Sequence, residues 1–273
     1  MLVRCPHCRN PIELTEDGAL TEVSCPTCGS SFSLIGTDST ASHQPAPSAT
    51  LGRFTLVKQL GMGAFGTVWK SHDNELDRFV AIKIPRHAQL DSAEAAKFLR
   101  EARTAAQLKH PNIVSVHEVG REGGTIYIVS DLVDGVTLTD WLTGQRPDPR
   151  EAAALCAKLA NALHHAHEHG VVHRDLKPGN IMLDRNNEPH IMDFGLAKRE
   201  ASEITVTMDG QILGTPAYMS PEQANGEGRH VNRRADIFSL GVILFELLTG
   251  ERPFRGNARM LVHQLLTEDA PSP

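Results

Sequence analysis

Apolar positions change their period along the chain. From Phe54 an apolar run leads into Leu60-Gly61-Met62-Gly63-Ala64-Phe65-Gly66-Thr67-Val68 and on to Val68-Trp69-Lys70, which reads as strand, glycine turn, strand. Val80-Ala81-Ile82-Lys83-Ile84 has β-propensity and is closed by Pro85; period two puts Ala81 and Lys83 on one face. Phe98, Leu99, Ala102, Ala105, Ala106 and Leu108 then follow the spacing of an amphipathic helix. Ile126 to Val129 is another strand, and Cys156 lies in a helix rich in Ala and Leu that ends before Gly170. Ile181-Met182-Leu183 and His190-Ile191-Met192 flank the turn-rich Asp-Arg-Asn-Asn-Glu, so they predict a hairpin. Ile237 to Leu248 predicts a core helix, too short to span a bilayer and carrying Glu246. Ala258 to Leu266 predicts another helix.

The hairpin gives the pattern its chemistry. Its fold-back puts Asn180, just before the first strand, beside Asp193, just after the second, so two oxygen ligands suited to hard Mg²⁺ converge. Asp175, on the same loop as Asn180, can accept the proton of an incoming hydroxyl, and Lys177 can neutralise charge on a transferred phosphoryl group. A lone loop aspartate is usually a turn former or cap. Here His173 to Asn180, HRDLKPGN, is followed by Asp193-Phe194-Gly195, and the order of the two runs argues for phosphoryl transfer.

Upstream, the three glycines let backbone N–H groups approach phosphate oxygens. No Gly-Lys-Ser/Thr follows them, which argues against a Walker-type loop, and a dinucleotide loop would open a helix instead. Taken alone, this glycine pattern fits a simple hairpin equally well. Lys83 inside an apolar strand needs a carboxylate, and the following helix offers Glu101 first, with Glu94, nearer the helix start, as runner-up.

With these runs in place the chain from about Phe54 onward resembles a protein kinase of the bacterial, eukaryotic-like (Hanks-type) Ser/Thr kind. The matching motifs are GMGAFGTV, VAIK with Lys83, REA with Glu101, HPNIV from His110, HRDLKPGN, DFG, GTPAYMSPE from Gly214, and DIFSLGVILFELLTGERPF from Asp236. The resemblance implies an α+β fold of two lobes, a β-rich small lobe at 51–130 and a helical large lobe at 131–273 that is short at its C-terminal end, and it implies ATP with Mg²⁺ or Mn²⁺ as cofactors. It makes Asp175 the catalytic base, Lys177 a phosphate contact, Lys83 held by Glu101 a contact to the α- and β-phosphates, and Asn180 and Asp193 the Mg²⁺ ligands. Nucleotide contacts fall on Leu60, Gly61, Gly63, Gly66, Val68, Ala81, Lys83, Asp131, Val133 and Met182, with Val68, Ala81 and Met182 around the adenine. Asp236 would brace the catalytic loop from beneath. Lys177 and Thr215 resemble Ser/Thr rather than Tyr kinases, so protein substrates with Ser or Thr acceptors are expected. Arg174 could engage a phosphate on Thr205 or Thr207; the alternative is that these are exposed loop threonines. Ser130 falls at the gatekeeper position, where a small side chain leaves room behind the adenine.

Family members continue with further helices, one of which supplies a basic partner for the glutamate matching Glu222. A nucleotide-binding scaffold or inactive fragment, with the N-terminal module as a docking element, is therefore the second functional reading.

Residues 1–35 form a separate expectation. Cys5-Pro6-His7-Cys8 and Cys25-Pro26-Thr27-Cys28 are two CxxC knuckles at the spacing of a four-cysteine structural zinc ribbon, with a redox dithiol as the competing reading. Residues Met1 to Ser39 carry Arg4 and Arg9 against Glu13, Glu16, Asp17, Glu22 and Asp38, so a protein partner or a structural role is favoured over nucleic acid. Residues 36–50, GTDSTASHQPAPSAT, read as a flexible linker.

Composition adds bounds. A length of 273 residues and a hydrophobic share of 40% allow one two-lobed core plus a small module, and a net charge of −6 disfavours a nonspecific nucleic-acid binder. Cys156, the one cysteine outside the knuckles, suits a small buried hydrophobe. No signal peptide or membrane segment is read, and a cytoplasmic location is expected. His165 and His169 share a helical face, but polar or cationic residues also suit a helix C-terminus, which is the preferred reading over a metal site.

Overall fold

The computed structural model describes residues 49–63, 66–85, 99–100, 102–194, 216–226 and 231–273, together with the backbone of four short strands before residue 33. The chain divides into two compact units, Met1–Pro47 and Ser48–Pro273. In the first, β1 (Leu2–Arg4) pairs antiparallel with β2 (Pro11–Glu13), and β3 (Val23–Ser24) pairs antiparallel with β4 (Ser31–Phe32). Cys5 and Cys8 fall in sequence between β1 and β2, Cys25 and Cys28 between β3 and β4; all four lie outside the described residues.

The second unit opens with a six-stranded antiparallel sheet in the order β5-β6-β7-β8-β10-β9. Its strands are β5 (Thr50–Leu51), β6 (Phe54–Gly63), β7 (Gly66–Asp73), β8 (Arg78–Ile84), β9 (Val116–Glu122) and β10 (Thr125–Ser130). Thr50, expected at the end of the linker, is therefore already in the sheet, held by its pairing with Thr55. One sheet face buries Leu51, Phe54, Val80, Ile82, Tyr127 and Val129. Phe54 meets the Tyr127 ring edge-on at 5.9 Å between centroids. Gly66 is required where it stands: its φ is +129°, and a Cβ there would lie 2.1 Å from the Ile84 carbonyl oxygen. The amphipathic segment after β8 is helical at residues 102–105, and Ala102 and Ala105 are buried.

The remainder is mostly helical. A three-stranded sheet joins β11 (Gly135–Thr137), β12 (Ile181–Asp184) and β13 (Pro189–Ile191). Around it lie α1 (Leu138–Leu142), α2 (Pro149–Glu168), α3 (Pro221–Ala224), α4 (Arg233–Thr249) and α5 (Ala258–Thr267). Helix α2 starts where the sequence supplies a capping box, Asp148 with Glu151, and Pro149 in the first turn. Its positions Ala152, Cys156, Leu159, Ala162, Leu163 and Ala166 form one buried stripe at helical spacing, facing Ile243 and Leu247 of α4 in the same core. Cys156 is buried there, and desolvation pushes its thiol up to about 11, so it behaves as a hydrophobe. Helix α4 begins four residues earlier than the apolar run from Ile237 suggests, because Asn232 caps it, and ends at Gly250 in the left-handed region. Among the described residues no helix is long and apolar enough to cross a membrane.

Candidate active site

The sheet and the helical part enclose a cleft of about 800 Å³. Leu60 and Gly61 of β6, Val68 of β7, and Ala81 and Lys83 of β8 form its roof. The register explains this face: Val68 stands opposite Lys83 and Lys70 opposite Ala81, so alternate residues of both strands point the same way. Ser130, Asp131 and Val133 line the connector between the lobes, and Met182 of β12 lies on the floor. Gly63 and Gly66 pair with each other where β6 passes into β7. Ala105, Ile113 and Phe194 line the same cleft as Ser130.

At the inner end the predicted hairpin forms. Met182 stands opposite His190, and the N–H of Met192 donates to the carbonyl of Asn180 at 2.9 Å, which fixes Asn180 and Asp193 at the base of the same ladder. The carboxylate of Asp175 accepts at Oδ2 from Lys177 Nζ at 2.8 Å and from Asn180 Nδ2 at 3.0 Å. Asn180 Nδ2 also donates to the Asp175 carbonyl at 2.7 Å, so the amide's NH₂ is spent inward.

Lys83 Nζ lies 2.8 Å from Asp193 Oδ2. The expected carboxylates Glu101 and Glu94 lie outside the described residues, so the pair described for Lys83 is one made across the cleft. Burial alone would raise the Asp193 carboxyl, but Lys83 outweighs it, with smaller help from His173 and Lys177, and holds it below the usual carboxylate range. Asp193 and Arg174 both have left-handed backbones, φ +62° and +69°, the kind of strain that surrounding contacts must hold.

Those contacts come from beneath. Asp236 on α4 is fully buried and accepts from the backbone N–H of His173 at 2.9 Å, that of Arg174 at 2.8 Å, and His167 Nε2 at 2.7 Å. His173 in turn bonds the Met192 carbonyl through Nε2 at 2.8 Å, joining the loop before Asp175 to the residue before Asp193. Gln223 Nε2 donates to the Arg174 carbonyl at 2.7 Å.

Several residues escaped the sequence reading. Gln223 was not singled out, and His173 was read only as the start of its run, since the contacts both make are to distant backbone. Lys58, Lys70 and Phe79 extend the roof outward, and counting two residues on from Val68 and two back from Ala81 would have found the last two. Arg174 reaches the Val231 carbonyl at 3.4 Å; Thr205, Thr207, Thr215 and Gly195 lie outside the described residues. The His165 and His169 rings lie against each other at a 40° tilt, 4.4 Å between centroids, with His110 at 5.4 Å from His165, yet no group of three metal-binding side chains occurs among the described residues.

Comparison with known proteins agrees with this geometry. The family model described as protein kinase domain matches residues 54–270. Serine/threonine-protein kinase PknB of Mycolicibacterium smegmatis is 43% identical over 230 residues, covering 81% of this chain and 36% of that protein. Serine/threonine-protein kinase PrkC of Bacillus subtilis is 40% identical over 213 residues, 77% of this chain and 32% of its own length. PknB of Mycobacterium tuberculosis is 41% identical over 232 residues, 82% and 37% respectively. The chain thus spans about a third of the length of these relatives. Matched through both lobes and across the cleft between them, this chain belongs to the protein kinase family.

Proposed function

We propose that the chain is a serine/threonine protein kinase that transfers the terminal phosphoryl group of ATP to Ser or Thr hydroxyls of proteins. The observation that carries this reading is the convergence of Asp175, Lys177, Asn180, Asp193 and Lys83 at the inner end of one cleft. Both donors to Asp175 sit on Oδ2, which orients Oδ1 as the acceptor for a substrate hydroxyl proton. Lys177 then stands where negative charge develops, and Lys83 reaches the phosphates from the roof. The adenine is sandwiched by Val68, Ala81 and Met182 and edged by Asp131 and Val133, with Leu60, Gly61, Gly63 and Gly66 covering the phosphates.

Asn180 and Asp193 suit a hard divalent cation: with its NH₂ turned to Asp175, Asn180 presents its amide oxygen, and Asp193 is an ionised carboxylate with a third of its side chain exposed. Mg²⁺ or Mn²⁺ held there would neutralise charge on the phosphate oxygens. Glu101 remains the proposed partner of Lys83 with nucleotide bound.

The test is an ATP-dependent phosphorylation assay followed by phosphoamino-acid analysis, with Asp175→Asn as control. Phosphoserine or phosphothreonine lost in the variant is expected; predominant phosphotyrosine, or undiminished transfer by the variant, overturns the reading.

For residues 1–35 we propose a structural zinc ion on Cys5, Cys8, Cys25 and Cys28. Support comes from the knuckle spacing and from each CxxC falling between the two strands of its own hairpin. Metal analysis of the purified chain is expected to find zinc equimolar with protein, released by a mercurial reagent.

A further inference from the structure

A second groove, of about 550 Å³, lies on the other side of the connector between the lobes. One wall is the stretch from His110 to Ser115; the other is the tip of the β12–β13 hairpin, with Asp184, Arg185 and Asn186. The connector residues Asp131 to Asp134 close it, and these same residues, with Ile113 and Val114, also line the nucleotide cleft. One strip of backbone is therefore the shared wall of two cavities. The Asp131 N–H donates to the Ser115 carbonyl at 3.0 Å, tying that wall to the groove side.

The groove's charge is one-sided. Three carboxylates, Asp131, Asp134 and Asp184, stand against one guanidinium, Arg185, which pairs with Asp134. His117 reaches Asp131 at 2.8 Å and His190 reaches Asp184 at 3.5 Å. Asp184 is kept ionised by the backbone N–H groups of its own turn, those of Glu188 at 2.9 Å and Asn186 at 2.8 Å. Pro111, Ile113 and Val133 add apolar surface between the charges. Residues 131–134 form neither helix nor strand.

We infer that this groove docks a lysine- or arginine-bearing extended segment of a protein partner, and that its occupancy shifts nucleotide affinity through the shared wall of residues 131–134. The match is one of charge: an extended peptide places cationic side chains against both carboxylate walls, while an acidic segment or a polyanion is repelled. The docking half stands independently of the kinase reading. The coupling half rests on it, because it takes the nucleotide to lie in the larger cleft.

The experiment uses the full chain without nucleotide and a fluorescein-labelled peptide of lysine, arginine and alanine, lacking hydroxyl residues so that it cannot be phosphorylated. Asp184→Asn keeps the acceptor for the turn while removing the charge, and Asn186→Lys adds a cation at an exposed rim position. Each is expected to weaken peptide binding about threefold to fivefold at low salt, and wild-type binding to fall as salt rises to about 0.15 M. Asp175→Asn is expected to bind the peptide normally, so loss of transfer and loss of docking are read separately. Saturating peptide should shift the dissociation constant of a fluorescent ATP analogue on the order of fivefold in the wild type, and the midpoint of that shift should move to about threefold to fivefold higher peptide concentration in Asn186→Lys. Absence of wild-type binding, equal binding by both variants, or equal binding of an acidic peptide overturns the docking. Peptide binding with nucleotide affinity unmoved overturns the coupling.

Discussion

Asp175 shows what a single side chain needs from its neighbours. Its carboxylate is fixed through Oδ2 by Lys177 and Asn180, two and five residues on in the same loop, contacts that the sequence reading, which turned Lys177 to a phosphoryl group and Asn180 toward Asp193, did not include. Replacing it with Asn keeps the shape and removes the proposed base; turnover is expected to fall about 10²- to 10⁴-fold with nucleotide binding retained, measured by steady-state kinetics beside equilibrium titration. Ser130 carries a prediction of the same scale. Its small side chain lines one cleft with Ala105, Ile113 and Phe194, so, with Ser130 at the expected gatekeeper position, nucleotide-competitive inhibitors with a bulky group beside it should bind well. Ser130→Met fills that space and should raise their inhibition constants about tenfold or more while leaving ATP turnover measurable; undiminished inhibition would contradict the gatekeeper placement. Lys83 was legible as an ion-pairing residue because an ammonium inside an apolar strand is costly. Its contact with Asp193, 110 positions away, was not, since sequence periodicity carries no information about which strand end meets which loop.

At the scale of elements, the β12–β13 hairpin and helices α4 and α5 were readable from apolar runs and turn residues, because those signals are local. The bond between Asp236 and the catalytic loop was not local: one buried carboxylate on α4 receives three donors from residues more than sixty positions earlier. Asp236→Ala would leave them buried without an acceptor. We expect a loss of about 3 kcal/mol in stability, together with a fall in turnover larger than any change in ATP KM, checked by urea unfolding and kinetics. The β7–β8 turn holds a second buried acid. Burial alone would raise Asp73, but the Leu76 N–H, the Arg53 guanidinium and the Glu75 N–H outweigh it and keep the carboxyl below its usual range. A depressed folded-state value stabilises the fold above the ordinary carboxylate range and is lost as pH falls through the folded value. Stability should therefore decline from about pH 5 downward, and Asp73→Asn should lower stability at neutral pH and flatten that decline.

On the scale of the whole molecule, two units separate at Pro47. The strands described in the first are two or three residues long, and its folding should depend on the proposed metal, whereas the second has its own apolar interior. Stripping zinc with a mercurial should therefore abolish ordered structure in residues 1–47 and leave the main thermal transition in place, as followed by calorimetry and by protease sensitivity of the N-terminal segment. A main transition that moves with the metal would contradict this division.

The sequence by itself determined the identity of the chemical groups, the local elements that carry them and the family, because short loops and periodic runs fix their own geometry within a few residues. Only the tertiary structure decided the atomic partners: Lys83 on Asp193, the backbone N–H groups of His173 and Arg174 on Asp236, whose place beneath the loop the family resemblance implied, and the connector that serves as a wall to both the large cleft and the acidic groove. Those contacts join residues far apart along the chain, and they depend on how sheets and helices pack rather than on any spacing the chain displays.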